Sequence, residues 1–356
     1  MPGKKVAIIS LGCKVNQYEA TAFRAGFEKA GLEVVDGKGP ADLVVINSCA
    51  VTSAAAAQSR QAIRRAIRDN PEAEVVLTGC QIELAGREFA TQSELQGRTL
   101  TVIGNSCKSQ LVQAALAAVP GEQCLILGDI AGAREIARLP VEHFAHRSRA
   151  LLRIQDGCES FCSYCIVPYT RGPSRSLPLA EAIAQAEVLA AAGHREIVLT
   201  GIHLGKYGND LPGSPDFPLL LDQLSRATPK TFYRISSLEP TEISDALLTL
   251  IAERDNIQPH LHIPLQSGED RILARMNRRY STSQFRQVVT RCKTVLPDAG
   301  IGIDIMAGFP GESEEQFSSS YDFIASLECS YLHAFPYSAR PGTAAALYPD
   351  QLKKAI

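Results

Sequence analysis

The sequence predicts an α/β protein in two parts: an N-terminal open parallel α/β sheet domain followed by a partial (βα) barrel. Three observations predict it. Two separate stretches alternate strand-like with helix-like segments, a looser stretch lies between them, and cysteines recur directly after strand-like runs.

In the first stretch the β-rich runs VAIIS, ADLVVINS, EVVLTG and TLTVIG alternate with helix-like segments, notably 56–69 and 109–118, the rhythm of a parallel sheet. Residues 1–120 are therefore expected to form one domain. The pattern loosens over 121–146, which holds an isolated strand signal in CLILGDI and is expected to be a linker. A second alternation follows, with ALLRIQD, EIVLTGI, FYRISSL, HLHIPLQ, IGIDIMAGF and YLHAFPYS as strands and helical segments such as 179–192 and 281–296 between most of them. Six βα-type units over 147–345 predict a barrel or partial barrel rather than a short open sheet. The remaining residues, 346–356, read as the start of a C-terminal extension inside a helix-like run, YPDQLKKAI.

Composition narrows the function. The chain has 356 residues, 45% hydrophobic and 21% charged, enough to build globular cores without covalent staples. Lys and Arg total 36 against 38 Asp and Glu, and the net charge of -2 excludes a polycation that grips nucleic acid by bulk charge. Any nucleic-acid contact must come from local basic patches. The N-terminus lacks the apolar length of a secretory signal, and no stretch approaches the roughly 20 apolar residues that span a bilayer. The reading is a cytoplasmic protein without a membrane partner, its ten cysteines reduced or metal-bound, with disulfide stapling the plainer alternative.

The cysteines carry the chemistry. Cys158, Cys162 and Cys165 stand in GCESFCSYC, directly after a strand-like run, so one compact loop aims three thiolates at one point. Three cysteines fill three corners of an iron-sulfur cubane and leave one iron open to a substrate. A closed zinc site is the alternative and needs a fourth ligand, for which His143, His146 or His203 would have to be recruited. Cys13, Cys49 and Cys80 are distant in sequence, yet each follows a strand-like run: VAIISLGC, LVVINSC and VVLTGC. In a parallel sheet the carboxyl ends of the strands line one edge, so three chain-distant thiols would meet there. Each alone is explained as a small buried residue closing a strand, whereas three recurrences point to a second metal cluster. Cys107 could compete as a ligand; Cys124, Cys292 and Cys329 sit in apolar or helical surroundings and read as packing.

The loop CESFCSYC resembles the CxxxCxxC loop of radical S-adenosylmethionine (SAM) enzymes. The three earlier cysteines resemble the auxiliary-cluster ligands of methylthiotransferases. LGCKVNQYE, NSCAVT, PYTRGPSRS, HIPLQSGEDRILARMNRRYS, GIDIMAGFPGE and FPYSARPGTAA extend the likeness over nearly the whole chain, and GCKVNQYE, NSCAVT and YTRGPSRS resemble most the branch acting on threonylcarbamoyladenosine in tRNA. The resemblance implies a radical-SAM partial barrel. It also implies two 4Fe-4S clusters, one on Cys158, Cys162 and Cys165 that binds and reductively cleaves SAM, the other on Cys13, Cys49 and Cys80 that holds the sulfur to be inserted. The implied reaction places a methylthio group at C2 of N6-threonylcarbamoyladenosine beside the anticodon, with a reducing electron donor and a sulfur donor the sequence does not identify. An isopentenyladenosine tRNA or a ribosomal protein is the alternative substrate, and a noncatalytic iron-sulfur RNA-binding protein the alternative class.

Tyr164 resembles the ring that packs on the adenine of SAM, or else fills the loop. Gly201 is read as letting backbone approach the methionine amine, or as a turn glycine. Ser236, Ser237, Glu239 and Gln266 offer polar groups at strand ends, where barrel enzymes build sites, although caps and solvated loops would explain them too. Gly308 and Gly311 read as close approaches to the nucleoside half of SAM, or as turns. Lys14 and Asn16 flank Cys13 as candidates to position sulfur or base, or as a surface turn.

Two arginine stripes, Arg60, Arg64 and Arg68, then Arg271, Arg275, Arg278 and Arg279, are expected to follow phosphates or to be solvated helix faces. Arg171 and Arg175 are expected nearer an entering RNA backbone. Family members usually continue into a small β-barrel, TRAM, that helps bind tRNA. It is expected to be absent here, and Leu177 stands where an arginine is common.

Overall fold

The computed structural model describes residues 3–352 apart from 36, 38 and 146. His146 and the last four residues of YPDQLKKAI therefore lie outside the described residues. Two compact units divide the chain: one holds the residues before 147 together with Asp156–Glu159 and Ile166–Arg175, the other holds the rest.

The first unit is a six-stranded, all-parallel sheet of β1 (Lys5–Ser10), β2 (Glu33–Val35), β3 (Leu43–Ser48), β4 (Glu74–Gly79), β5 (Leu100–Ile103) and β6 (Gln123–Ile126), in the order β2-β1-β3-β4-β5-β6. Parallel strands need crossovers, and α1 (Lys14–Lys29), α2 (Ser53–Asp69), α3 (Cys80–Ala90) and α4 (Leu111–Leu116) supply them. β3 and β5 are buried along their whole length, as strands covered on both faces must be, with Val44, Ile46, Ile63, Leu77, Ile82 and Val102 in the core. The strand signal in CLILGDI is not isolated: it is β6, paired in parallel with β5. A short helix, α5 (Val167–Arg171), also belongs to this unit.

The second unit carries β7 (Arg149–Arg153), β8 (Glu196–Thr200), β9 (Phe232–Ile235), β10 (His260–Gln266), β11 (Gly300–Ala307) and β12 (Tyr331–Pro336). They form two parallel sheets, β9-β8-β7 and β10-β11-β12, joined by parallel bridges from Tyr233 to Ile257 and from Ser237 to His262. The six strands thus follow one another as in a partial barrel. Between them run α6 (Leu179–Ala191), α7 (Phe217–Ala227), α8 (Asp245–Glu253), α9 (Asp270–Arg275), α10 (Thr282–Val295) and α11 (Glu314–Ala325). Leu261, Ile263, Ile301 and Ile303 are fully buried on one sheet face, while His260, His262 and Asp304 alternate onto the other. Tyr348–Leu352 is not helical, so the helix expected in YPDQLKKAI is missing from its described part.

Candidate metal centres

Cys13 caps α1 just past β1, Cys49 directly follows β3, and Cys80 opens α3 after β4. Because β1, β3 and β4 are adjacent and parallel, the three cysteines share one edge of the sheet. Gly12 lies so close to Cys49 that a Cβ on it would stand 2.6 Å from the Cys49 sulfur, and its φ of +93° is one that side chains rarely adopt. Gly79, with a φ of +95°, leaves no room either: a Cβ would fall 2.3 Å from the Ser48 carbonyl oxygen. Burial pushes the Cys49 thiol up to about 11, backbone hydrogen bonding at Val51 opposes this, and charge on Cys80 or Cys13 raises it further. A thiol raised this far holds its proton at neutral pH unless a metal takes its place.

Beside them lies a buried polar network inside the same unit. Glu19 accepts from Arg171 Nη1 at 2.7 Å and from Lys108 Nζ at 2.5 Å, and all three side chains are shut off from solvent. Arg171 also donates to Asn16 Oδ1 at 2.5 Å and to Asp156, with Arg175 3.6 Å from Asp156. Asn16 in turn donates to the carbonyls of Leu11 and Ser48, the residues preceding Gly12 and Cys49. Burial opposes the Arg171 charge, but Glu19 and Asp156 hold its pKa well above the usual range; burial lowers that of Lys108. Arg171 and Arg175 therefore do not meet RNA, since each lies buried against carboxylates within this unit. Lys14 is exposed, while Asn16 braces the cysteine loops rather than forming a surface turn.

In the loop after β7, Cys158 N–H donates to the Gly172 carbonyl at 2.9 Å. In the second unit Cys165 N–H donates to the Cys162 carbonyl, and Phe161 takes the left-handed φ of +45°. The stretch after α9 grips this loop: Asn277 donates to the Phe161 carbonyl at 2.9 Å, Ser163 N–H to Met276, and Ser163 Oγ to the Arg275 carbonyl at 2.8 Å. Arg278 donates to Cys162 Sγ at 3.5 Å and pairs with Glu239, its side chain nearly buried. Arg275 donates to the Pro310 carbonyl and lies over the Tyr348 ring. The second stripe thus breaks up: α9 ends at Arg275, and Arg278 serves the cysteine loop instead of facing phosphate. The sequence placed Arg278 in a stripe but held no signal for its place at the cysteine loop, since Cys162 and Glu239 lie 116 and 39 residues away along the chain.

The remaining expected residues are placed as follows. Tyr164 packs against Ile272, Met276, Phe309 and Ala345, and burial drives its hydroxyl pKa well up. Gly201 abuts Gln155, whose Oε1 accepts from the N–H groups of Ile202 and His203. Ser236 Oγ is buried without a hydrogen-bond partner, and Ser237 bonds His262 Nδ1 at 2.7 Å. Glu239 caps a short 3-10 turn, Gln266 sits at φ +69° where the register of β10 shifts, and Gly308 N–H donates to Glu312 at 2.6 Å. Of the histidines raised for zinc, His203 is taken up by Glu242 and Ser160 and His143 is exposed. Cys292 is buried in α10 and Cys124 lies exposed on β6; Cys107 is half-buried beside Ser106 and Cys329 half-buried after α11. Sequence reasoning missed one constellation altogether: His262 and His333 both face Asp304 Oδ1, at 3.0 and 3.2 Å, beside Tyr331. Single polar residues alternating along β10, β11 and β12 gave no local sign of it.

Two family models match the chain: Uncharacterized protein family UPF0004 over residues 5–101 and the Radical SAM superfamily over residues 152–324. A threonylcarbamoyladenosine tRNA methylthiotransferase MtaB from Bacillus subtilis (strain 168) is 41% identical over 354 residues, 99% of this chain and 77% of that protein. This chain belongs to the radical-SAM methylthiotransferase family. Another methylthiotransferase, MtaB of Rickettsia prowazekii (strain Madrid E), is 38% identical over 96% of this chain and 78% of its own length. A tRNA-2-methylthio-N(6)-dimethylallyladenosine synthase of Sphingopyxis alaskensis (strain DSM 13593 / LMG 18877 / RB2256) is 33% identical over 99% and 79%. Among solved structures, the radical SAM methyltransferase TsrM of Kitasatospora setae matches with a TM-score of 0.65 at 14% identity, covering 98% of this chain and 77% of that one, a likeness of fold. Among the described residues no helix of this methylthiotransferase is long and apolar enough to cross a membrane.

Proposed function

We propose that the protein is a tRNA methylthiotransferase that places a methylthio group at C2 of N6-threonylcarbamoyladenosine next to the anticodon, in the cytoplasm where tRNA is met. The observation that carries this reading is the delivery of Cys13, Cys49 and Cys80 to one sheet edge by three neighbouring strands, in a chain that also bears the Cys158, Cys162 and Cys165 loop. The donor sets suit the groups: each offers three thiols, which would leave one iron of a 4Fe-4S cluster open. Cys158, Cys162 and Cys165 would hold the SAM-binding cluster, and Cys13, Cys49 and Cys80 the auxiliary one. When bound, these groups and SAM supply the one-electron chemistry needed at a ring C–H bond that no side-chain base can ionise.

The chain's own residues prepare both sites. Arg278 sets a fixed positive charge beside Cys162, 3.5 Å from its sulfur. Lys108 and Arg171 bring buried positive charge toward Cys80, which an anionic thiolate set needs, and Asn16 ties both cysteine loops to that network. Gln155 fixes the backbone of the loop after β8, and the Ser236 hydroxyl just past β9 is buried with no hydrogen-bond partner among the described residues. With Tyr164, Gly201, Ser237, Glu239, Gln266 and Gly308 they are the SAM-side candidates; a reductant would serve the SAM-binding cluster and a sulfur donor the auxiliary one. The MtaB-named relatives favour threonylcarbamoyladenosine over isopentenyladenosine. The test is expression in a host lacking tRNA methylthiotransferases, with mass spectrometry of tRNA nucleosides. A methylthio signal on threonylcarbamoyladenosine is expected; the same signal on isopentenyladenosine overturns the substrate.

A further inference from the structure

We infer that the outward face of α2 is a phosphate-binding track that docks the backbone of the tRNA substrate. This rests on the tRNA reading above and adds to it a surface and its residues. Ala56, Ser59, Ile63, Ala66 and Ile67 turn α2 into the sheet, which leaves a shallow groove lined by Ala57, Arg60, Gln61, Arg64, Arg65 and Arg68 on the other side. The helix carries four arginines against one aspartate in a chain whose net charge is -2, so positive charge is concentrated here against the overall balance. Asp69 pairs with Arg65 and Arg68 in exposed contacts of 3.3 and 3.2 Å, which water screens heavily. Arg60 and Arg64 have no ion pair among the described residues.

Position adds to charge. Thr52 caps α2 only three residues after Cys49, so the helix leaves directly from the cysteine edge of the sheet. At 1.5 Å per residue Arg60 lies about 12 Å along the axis from that cap, and the track runs on for about another 12 Å to Arg68. A nucleic-acid strand whose base reaches the cysteine edge can lay its neighbouring phosphates along this face. Arginine suits the task, because its guanidinium fork binds phosphate oxygens in pairs and stays charged. The second stripe makes the contrast, since there Arg275 and Arg278 are already used by carbonyls, a thiol and Glu239.

The test measures binding of threonylcarbamoyladenosine-containing tRNA against salt for wild type, the Arg60→Ala/Arg64→Ala double variant, Arg60→Lys/Arg64→Lys, and Lys29→Ala at the far end of α1. Losing two phosphate contacts should flatten the slope of log K against log salt by about 1.4 for a single strand to about 1.8 for a duplex, a loss of roughly 25- to 60-fold at 0.1 M salt. The lysine pair should keep most of the slope, Lys29→Ala should leave it unchanged, and SAM cleavage without tRNA should be the same in all. An unchanged slope in the double alanine variant overturns the inference, as does an equal loss in Lys29→Ala. Wild-type protein that binds tRNA with the expected slopes yet forms no methylthio product would refute the proposed reaction and leave the docking face standing.

Discussion

Replacing Glu19 by Gln keeps its shape and removes the charge that two buried cations face. In the native protein its carboxylate meets Arg171 at 2.7 Å and Lys108 at 2.5 Å, and Asn47 donates to it at 2.9 Å. With an effective dielectric constant of about 20, each charge pair is worth roughly 6 kcal/mol before desolvation, and desolvation has already been spent on all three groups. Arg171 keeps Asp156 and Asn16 after the change, whereas among the described residues Lys108 keeps only Asn47 Oδ1 at 3.4 Å. The expected loss is therefore about 3–5 kcal/mol, most of it from the stranded lysine. Adding Lys108→Met removes the orphaned charge, and the double variant should return to within about 1 kcal/mol of wild type. Urea unfolding of the metal-free protein, with hydrogen exchange of the β3 amides as the local reporter, measures both. A single-variant loss below about 1 kcal/mol, or additive losses in the double variant, refutes the account of the network.

Three further outcomes follow from the same geometry. Gly12→Ala forces a Cβ to 2.6 Å from the Cys49 sulfur at φ +93°, so reconstituted protein should hold about 4 rather than about 8 irons per chain by iron assay while SAM cleavage persists. Cys162→Ala should abolish 5'-deoxyadenosine formation, whereas Cys49→Ala should keep part of it and lose methylthiolation; identical behaviour of the two would refute the division of labour. Burial raises the Glu83 carboxyl above the ordinary 4.5, so its contribution favours the fold when protonated and is lost as pH rises through the shifted value. Glu83→Gln, which can still accept the Asn105 N–H bond of 2.6 Å, should thus gain thermal stability relative to wild type as pH rises from 4.5 toward 8, and a constant difference across that range counts against it.

Local pattern carried much of the architecture. The strand-like runs became β1, β3, β4, β5 and β7–β12, and the helix-like segments at 56–69, 179–192 and 281–296 became α2, α6 and α10 with ends shifted by at most three residues. β2 escaped because three residues give too little periodicity, and β6 was set apart because its partner β5 is recognised only through pairing. The helical look of Tyr348–Leu352 was overridden by packing, with Tyr348 placed against Phe309 and Arg275. The common sheet edge of Cys13, Cys49 and Cys80 was legible because strand ends are local features and adjacent parallel strands carry those ends to one side.

What the sequence by itself determined is the order of elements and the position of each cysteine after a strand, since periodicity and strand ends are read within a dozen residues. The fate of the charged side chains was decided only in three dimensions. Arg171 is buried because Glu19, 152 residues away, meets it, and Arg278 turns to a thiol 116 residues away. His262 and His333 share Asp304 only because β10, β11 and β12 lie side by side. Periodicity tells which face of a helix an arginine occupies, but its partner is set by tertiary packing, because a buried charge persists only where the fold brings it a counter-charge.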